Sequence, residues 1–349
     1  MTRRCTSFDV AEGAGVSQST VSKALRGSEG VSIESRRRVL EVAAVLNYRP
    51  DQRAVSLRSS ATGRIAVVIL GDPGVRGAPI NSFYMDILAH VAAAAADHDQ
   101  EILVSFQHDP ANFFASYCQD RIADGIIVIG TARNSAGWRF FSKARSQGEN
   151  VICWGSPDNV LPTLRCDNHT GAATAVHHLV ATGRRRIIFL GPGWRRQHAY
   201  RDRRSGYISV MTEQRLPVFE AQARLTGTRE LQGYAATLDL MNNDVSFDAI
   251  FAASDGLAVG AMQALNKCGR VIPEDVAVIG FDGIGSAPYT VPPLSTVEQN
   301  GAVAGSSLVE ALLRMIAGEE YKLPAVPVKL IWRASSWASA TKKSSLSQY

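Results

Sequence analysis

The chain has 349 residues, of which 46% are hydrophobic, with five cysteines, seven histidines and a formal charge of +5. That length exceeds one ordinary domain and can bury a large core, which excludes a disordered chain or a small disulfide-stapled one. The longest apolar stretches, such as residues 87–96, are too short to span a bilayer, so no membrane partner is expected.

The charge is unevenly placed. Residues 1–60 hold ten Lys or Arg against six Asp or Glu, so nearly all the excess lies there, as on a surface that faces phosphates. Solvated helices often show a modest basic bias too, so this clustering only supports the reading. Cys5, Cys118, Cys153, Cys166 and Cys268 are scattered, with no Cys-x-x-Cys, and are expected as free thiols in a reducing cytoplasm. The polar, basic start predicts no secretory leader, and the protein is placed in the cytoplasm.

The first elements are two short amphipathic helices within residues 9–25, DVAEGAGVSQSTVSKAL. Val10, Ala11 and Ala14 recur at helical spacing, and Asp9 sits where the helix dipole favours an anion. Gly15 supplies the positive φ that ends the helix, and Ser17 is a good N-cap for the next. There Val21, Ala24 and Leu25 form the apolar stripe, leaving Gln18, Ser19, Ser22 and Lys23 outward. Amide, hydroxyl and ammonium groups on an exposed helix start suit base edges in a major groove. A third helix over 34–46 is expected to bury Val39, Leu40, Val42, Ala43 and Leu46. Three such helices can close a small independent core, and Asn47-Tyr48-Arg49-Pro50 stops the last one.

Residues 59–63 read as a small-residue linker, after which buried strands alternate with helices. Strands are expected at 64–70, 101–106, 125–129, 151–154, 186–190, about 223–226, 249–252, 276–280 and 327–333. Helices are expected at 83–97, near 111–121, near 136–147, and at 170–181, 203–215, 231–241 and 256–268. Such alternation calls for parallel sheets covered by helices, and this many strands favours two lobes with a cleft between them.

No catalytic constellation holds up. Gly191-Pro192-Gly193 and GFDGIG at 280–285 fail as dinucleotide fingerprints, and there is no Walker lysine, GxSxG or HExxH. His177 and His178 are adjacent on a helix, point about 100° apart and do not share a ligand. No cofactor, metal or enzymatic activity is expected.

The segments DVAEGAGVSQSTVSKALRG, VSIESRRRVLEVAAVLNYRP and RAVSLR, in this order, resemble the LacI family of transcription regulators. The resemblance covers nearly the whole chain. It implies an N-terminal all-α helix-turn-helix headpiece (1–50), a hinge helix and linker (51–63), and an α/β two-lobed periplasmic-binding-protein-like sensor (64–340). The N-lobe would comprise about 64–162 and 290–324, and the C-lobe about 163–289 and 325–340. Crossings are expected near Pro162, at 289–293 and at 323–326. The tail over 335–349 is Ser/Lys-rich without a leucine heptad, so a homodimer is the default.

On near-palindromic double-stranded operator DNA, Gln18, Ser19 and Lys23 would read base edges. Ser17, Thr20, Ser22, Arg26, Asn47 and Arg49 would hold phosphates and register. Residues 51–57 resemble the hinge helix, where Ala54 would allow close approach and Leu57 would wedge the minor groove, while Val55 stands where relatives often have Arg or Gln.

For the effector, Asn81-Ser82-Phe83-Tyr84 resembles the family's NPFF, with Ser82 in place of proline after a longer loop at 71–80. Arg203 resembles the arginine of RxxGY, Asp255 the cleft aspartate, and Asp282 the first acid of FDD, whose second is Gly283 here. Trp154 follows Cys153, where many relatives carry a cleft aspartate, and would supply a stacking wall. The competing reading is core packing for Phe83, Tyr84 and Trp154, and an interlobe salt bridge for Arg203 and Asp255. An Asp-plus-Arg cleft with aromatic walls favours a sugar effector over a nucleobase. The function implied is an effector-controlled repressor. An activator of the same fold, or a solute-binding protein or enzyme with a basic arm, are the alternatives.

Overall fold

A computed structural model describes residues 5–25, 30–48, 61–73, 81–131, 133–157, 160–192, 198–224 and 227–337. Arg26, Arg49, Ala54, Leu57, the rest of the expected hinge helix, residues 74–80 and most of the Ser/Lys tail lie outside them. The chain divides into two units, Met1–Thr62 and Gly63–Tyr349.

In the first unit the Asp9 carboxylate accepts the Thr6 backbone N–H (2.7 Å) and hydroxyl (2.8 Å), fixing the start of α1 (Ser7–Ala14). Gly15 ends it at φ +62°, and Ser17 Oγ accepts the Thr20 N–H at 3.2 Å to open α2 (Gln18–Leu25). Ser32 caps α3 (Ile33–Val45) in the same way. The core holds Val10, Ala11, Ala14, Val21, Ala24, Val39 and Ala43. The third helix buries a narrower stripe than its sequence suggests. Leu40 is 50% exposed because it lies a quarter-turn from Val39, and Leu46, 39% exposed, is already the cap residue.

The second unit contains two sheets. The N-lobe sheet runs β2-β1-β3-β4-β5, all parallel, from β1 (Arg64–Leu70), β2 (Glu101–Gln107), β3 (Gly125–Gly130), β4 (Val151–Trp154) and β5 (Thr163–Leu164). The C-lobe sheet runs β11-β10-β9-β8-β6-β7, from β6 (Ile187–Pro192), β7 (Phe219–Ala223), β8 (Ala249–Ala252), β9 (Ala277–Asp282), β10 (Ser295–Gln299) and β11 (Val328–Ile331). Only the β10–β11 pair is antiparallel. Every residue of Ile65–Leu70 and of β3 is buried, as for parallel strands covered on both faces.

The helices are α4 (Ser82–Asp97), α5 (Ser135–Ser146), α6 (Asn168–Ala181), α7 (His198–Glu213), α8 (Arg229–Asn242), α9 (Asp255–Lys267) and α10 (Gly301–Ile316). In the C-lobe α8 lies so close on α9 that a Cβ on Gly260 would sit 1.9 Å from the Glu230 carbonyl oxygen.

Several expectations are corrected. Residues 111–121 are not a helix but a 3₁₀ turn (Pro110–Asn112) followed by irregular chain. Side chains take the backbone groups there: Gln107 bonds both the N–H and the C=O of Phe114 at 3.0 Å, and Glu149 accepts the N–H groups of Cys118 and Gln119. β7 begins at Phe219, ahead of the expected strand, with the small residues Ala221 and Ala223 turned inward. β5, β10 and α10 were not anticipated as elements. Because β10 pairs with β9 and β11, residues 290–299 belong with the C-lobe, and the second crossing falls at Asn300 rather than at 289–293. The first crossing falls at 165–167, beyond Pro162, since β5 still pairs with β4. It runs beside the third, with Val326 N–H donating to Arg165 O (2.8 Å) and Asp167 N–H to Val326 O (3.1 Å).

Candidate functional site

In a parallel sheet the strands end where the following helices begin, so the carboxyl ends of both sheets present loops and helix N-termini to the space between them. A cavity of about 440 Å³ lies there with walls from both lobes. The N-lobe contributes Asp72 after β1, Asn81 and Tyr84 at the start of α4, Gln107 and His108 at the end of β2, and Thr131 after β3. The C-lobe contributes Thr228, Arg229 and Glu230 at the start of α8, Ser254 and Gly256 at the start of α9, and Asp282 with Ile284 at the end of β9. A smaller cavity of about 50 Å³ adjoins it, lined by Phe83, Trp154, Tyr200, Arg203, Asp282 and Gln299 among others.

Arg203, on α7, is buried, and its Nε and Nη1 are engaged within the C-lobe. It donates to Asn168 Oδ1 (2.8 Å), the Ala253 carbonyl (2.6 Å) and Asp282 Oδ1 (3.1 Å), and stacks over Phe281 at 3.7 Å. Gln299 also donates to Asp282 Oδ1 (2.7 Å). Burial raises the Asp282 pKa more than Arg203 and Gln299 lower it. Asp282 sits at φ +131°, a backbone region costing roughly 1–3 kcal/mol for a side-chain-bearing residue, at the point where β9 enters the cavity.

Two family models match the chain: "Bacterial regulatory proteins, lacI family" over residues 8–51, and "Periplasmic binding protein-like domain" over 176–336. The HTH-type transcriptional regulator AscG of Escherichia coli (strain K12) is 28% identical over 327 residues, covering 91% of this chain and 94% of that protein. The chain thus joins a LacI-family DNA-binding region to a periplasmic-binding-protein-like domain. Among solved structures, that of the lac repressor dimer bound to operator and an anti-inducer, 23% identical, matches with a TM-score of 0.79 over 96% of this chain and all of that one. The regulator CelR in complex with cellobiose, 25% identical, matches with a TM-score of 0.64 over 95% of this chain and all of that one.

Of the effector residues read from the family resemblance, Phe83, Tyr84, Trp154, Arg203 and Asp282 come together at the two cavities. Phe83 and Trp154 lie 6.2 Å apart and are also part of the N-lobe core, so packing and cavity lining coincide in them. Asp255 does not join them. It is fully buried behind β9, with Oδ2 accepting the N–H groups of Gly283 and Ile284 (both 2.9 Å) and Oδ1 accepting the Thr296 hydroxyl (2.6 Å). Burial and the nearby Asp282 push its pKa up to about 7. Nor does either charge make an interlobe salt bridge, since the partner of Arg203 is on its own lobe.

Asp72, His108, Arg229 and Gln232 escaped the reading because each is a single polar residue on a loop or helix start, outside any motif. The available signal was topological: ligand-facing residues follow a strand or open the next helix.

In the headpiece Ser19 and Lys23 are exposed on α2, while Gln18 is half-buried and donates to Ser7 Oγ at 2.9 Å. Ser17 is held by its cap and by the hydroxyls of Ser19 and Thr20, both at 2.8 Å. Ser22 is half-buried, and Asn47 is exposed at φ +46° just past α3. His177 faces Glu213 at 3.6 Å, and His178 stacks on Trp332 and Trp337. Among the described residues no group of His, Cys, Asp or Glu could hold a metal, and no helix is long and apolar enough to cross a membrane.

Proposed function

We propose that this chain is a cytoplasmic, homodimeric LacI-family transcriptional repressor whose grip on operator DNA is set by a sugar-like effector in the cavity between its lobes. The observation that carries this is the pairing, in one chain, of a capped helix-turn-helix headpiece with a roomy cavity walled by both lobes. Regulator relatives about 28% identical over nine-tenths of the chain support it, as does the cellobiose complex of CelR.

Ser19 and Lys23 extend from α2 toward base edges, and Gln18 enters the groove oriented by its bond to Ser7. Ser17, Thr20, Ser22 and Asn47 hold phosphates. An effector seated between the lobes stabilises one interlobe arrangement over another, and the headpieces respond to that bias. The edge strand β2 leaves Leu103, Val104 and Phe106 exposed, an apolar edge suited to a second copy. The relatives being regulators, no catalytic step is assigned. A gel shift on promoter fragments at physiological salt tests the reading. It expects nanomolar, sequence-selective retention that a sugar modulates, and retention indifferent to sequence counts against it.

A further inference from the structure

We infer that the effector is an anionic polyol, a sugar acid or sugar phosphate, and that Arg229 receives its charged group. The inference rests on the effector reading above and narrows it. Arg203 gives its Nε and Nη1 to Asn168, Ala253 and Asp282 and lines the smaller cavity rather than the larger. Arg229, the first residue of α8, lines the larger cavity. It bonds Gln232 Oε1 (2.9 Å) and lies over the Tyr200 ring at 5.5 Å. Among the described residues no carboxylate is in contact with it, and Asp72 and Asp282 act on it only from a distance.

The acids of the same cavity are each offset already. Asp72 is bound by Arg133 at 2.9 Å and Asp282 by Arg203 at 3.1 Å. The Glu230 carboxylate lies over the first turn of α9, where a Cβ on Gly256 would meet its Oε1 at 3.0 Å, so a helix dipole faces it. Arg229 therefore has no carboxylate in contact, and it stands at the positive end of α8, while that of α4 opens on the facing wall. A half-buried guanidinium with no carboxylate in contact, at a helix N-terminus, suits a ligand anion.

The hydroxyl-reading groups are on the facing wall. Asp72 Oδ1 and His108 Nε2 are buried there without a hydrogen-bond partner among the described residues. One accepts from a hydroxyl and the other pairs with a hydroxyl in either sense.

The test uses the full-length protein, thermal shift and calorimetry. Glucuronate, galacturonate and glucose 6-phosphate are compared with glucose and galactose at matched ionic strength. The inference expects an anionic compound to bind more tightly than its neutral parent and to weaken as salt rises. Arg229→Gln should lose roughly 10- to 100-fold in its affinity, and Arg229→Lys should recover part of it. The uronate and phosphate arms tell the two sources apart. Unliganded melting curves separate lost contact from lost fold, and the salt dependence of the unmodified protein carries the test if Arg229→Gln does not fold. Neutral parents binding as well as the anions, or an Arg229→Gln affinity within twofold, overturns the inference and leaves the sugar reading standing. If no compound of either kind binds, both fall.

Discussion

Asp255 and Arg203 carry opposite charges in one lobe, and both serve the fold before they serve a ligand. Asp255 pins the turn after β9 through Gly283 and Ile284, and its pKa near 7 has a consequence for stability. Between about pH 4 and pH 7 the folded chain keeps a proton that the unfolded chain has released, so stability falls as pH rises through that window. Asp255→Asn cannot ionise and presents an amide N–H to Thr296, so denaturation at pH 5, 6 and 7.5 should give a shallower slope than the parent. An unchanged slope would remove Asp255 as its source. Asp255→Ala leaves the Ile284 N–H and the Thr296 hydroxyl without their acceptor and should cost about 2–4 kcal/mol. Arg203→Ala strands the buried Asp282 and should cost about 3–5 kcal/mol in urea unfolding; a loss under 1 kcal/mol would show that the pair is not structural. The family motifs pointed to both residues. Which of the two faced the cavity depended on the depth of β9 relative to the loop, something a motif does not encode.

Elements were legible where composition forced them. β1, β3 and β8 are short β-branched or small apolar runs with one workable state, and the caps at Asp9, Gly15 and Ser17 mark their helices directly. Residues 111–121 misled because a helical spacing of apolar residues is there served by side chains from β2 and from the stretch before β4. α10 does carry a helical stripe, Ala304, Leu308, Val309 and Leu312, and was legible in the sequence, whereas β10 is a five-residue run whose buried positions do not alternate. The contact of α8 on α9 matters for the cavity, as both helix starts line it. Gly260→Ala should force the helices apart and cost about 2–3 kcal/mol, with weaker ligand binding measured alongside. Tolerance of Ala there would mean that α8 is not held by this contact. In the headpiece, Ser17→Ala should cost about 1 kcal/mol of stability through the lost cap.

At the scale of the whole molecule, the proposed homodimer places an apolar strand edge against its own copy. Val104→Lys on β2 should shift sedimentation toward the monomer and weaken DNA retention; an unchanged dimer would move the interface elsewhere. The coupling of cavity to headpiece is the central claim, and it is a statement about free energy between two sites. Fluorescence anisotropy of a labelled promoter fragment, titrated with the full-length protein with and without a saturating cavity ligand, measures it directly. The account predicts sequence-selective binding whose affinity changes by about tenfold or more on adding the ligand. Identical affinity with and without a compound shown by calorimetry to occupy the cavity would contradict it.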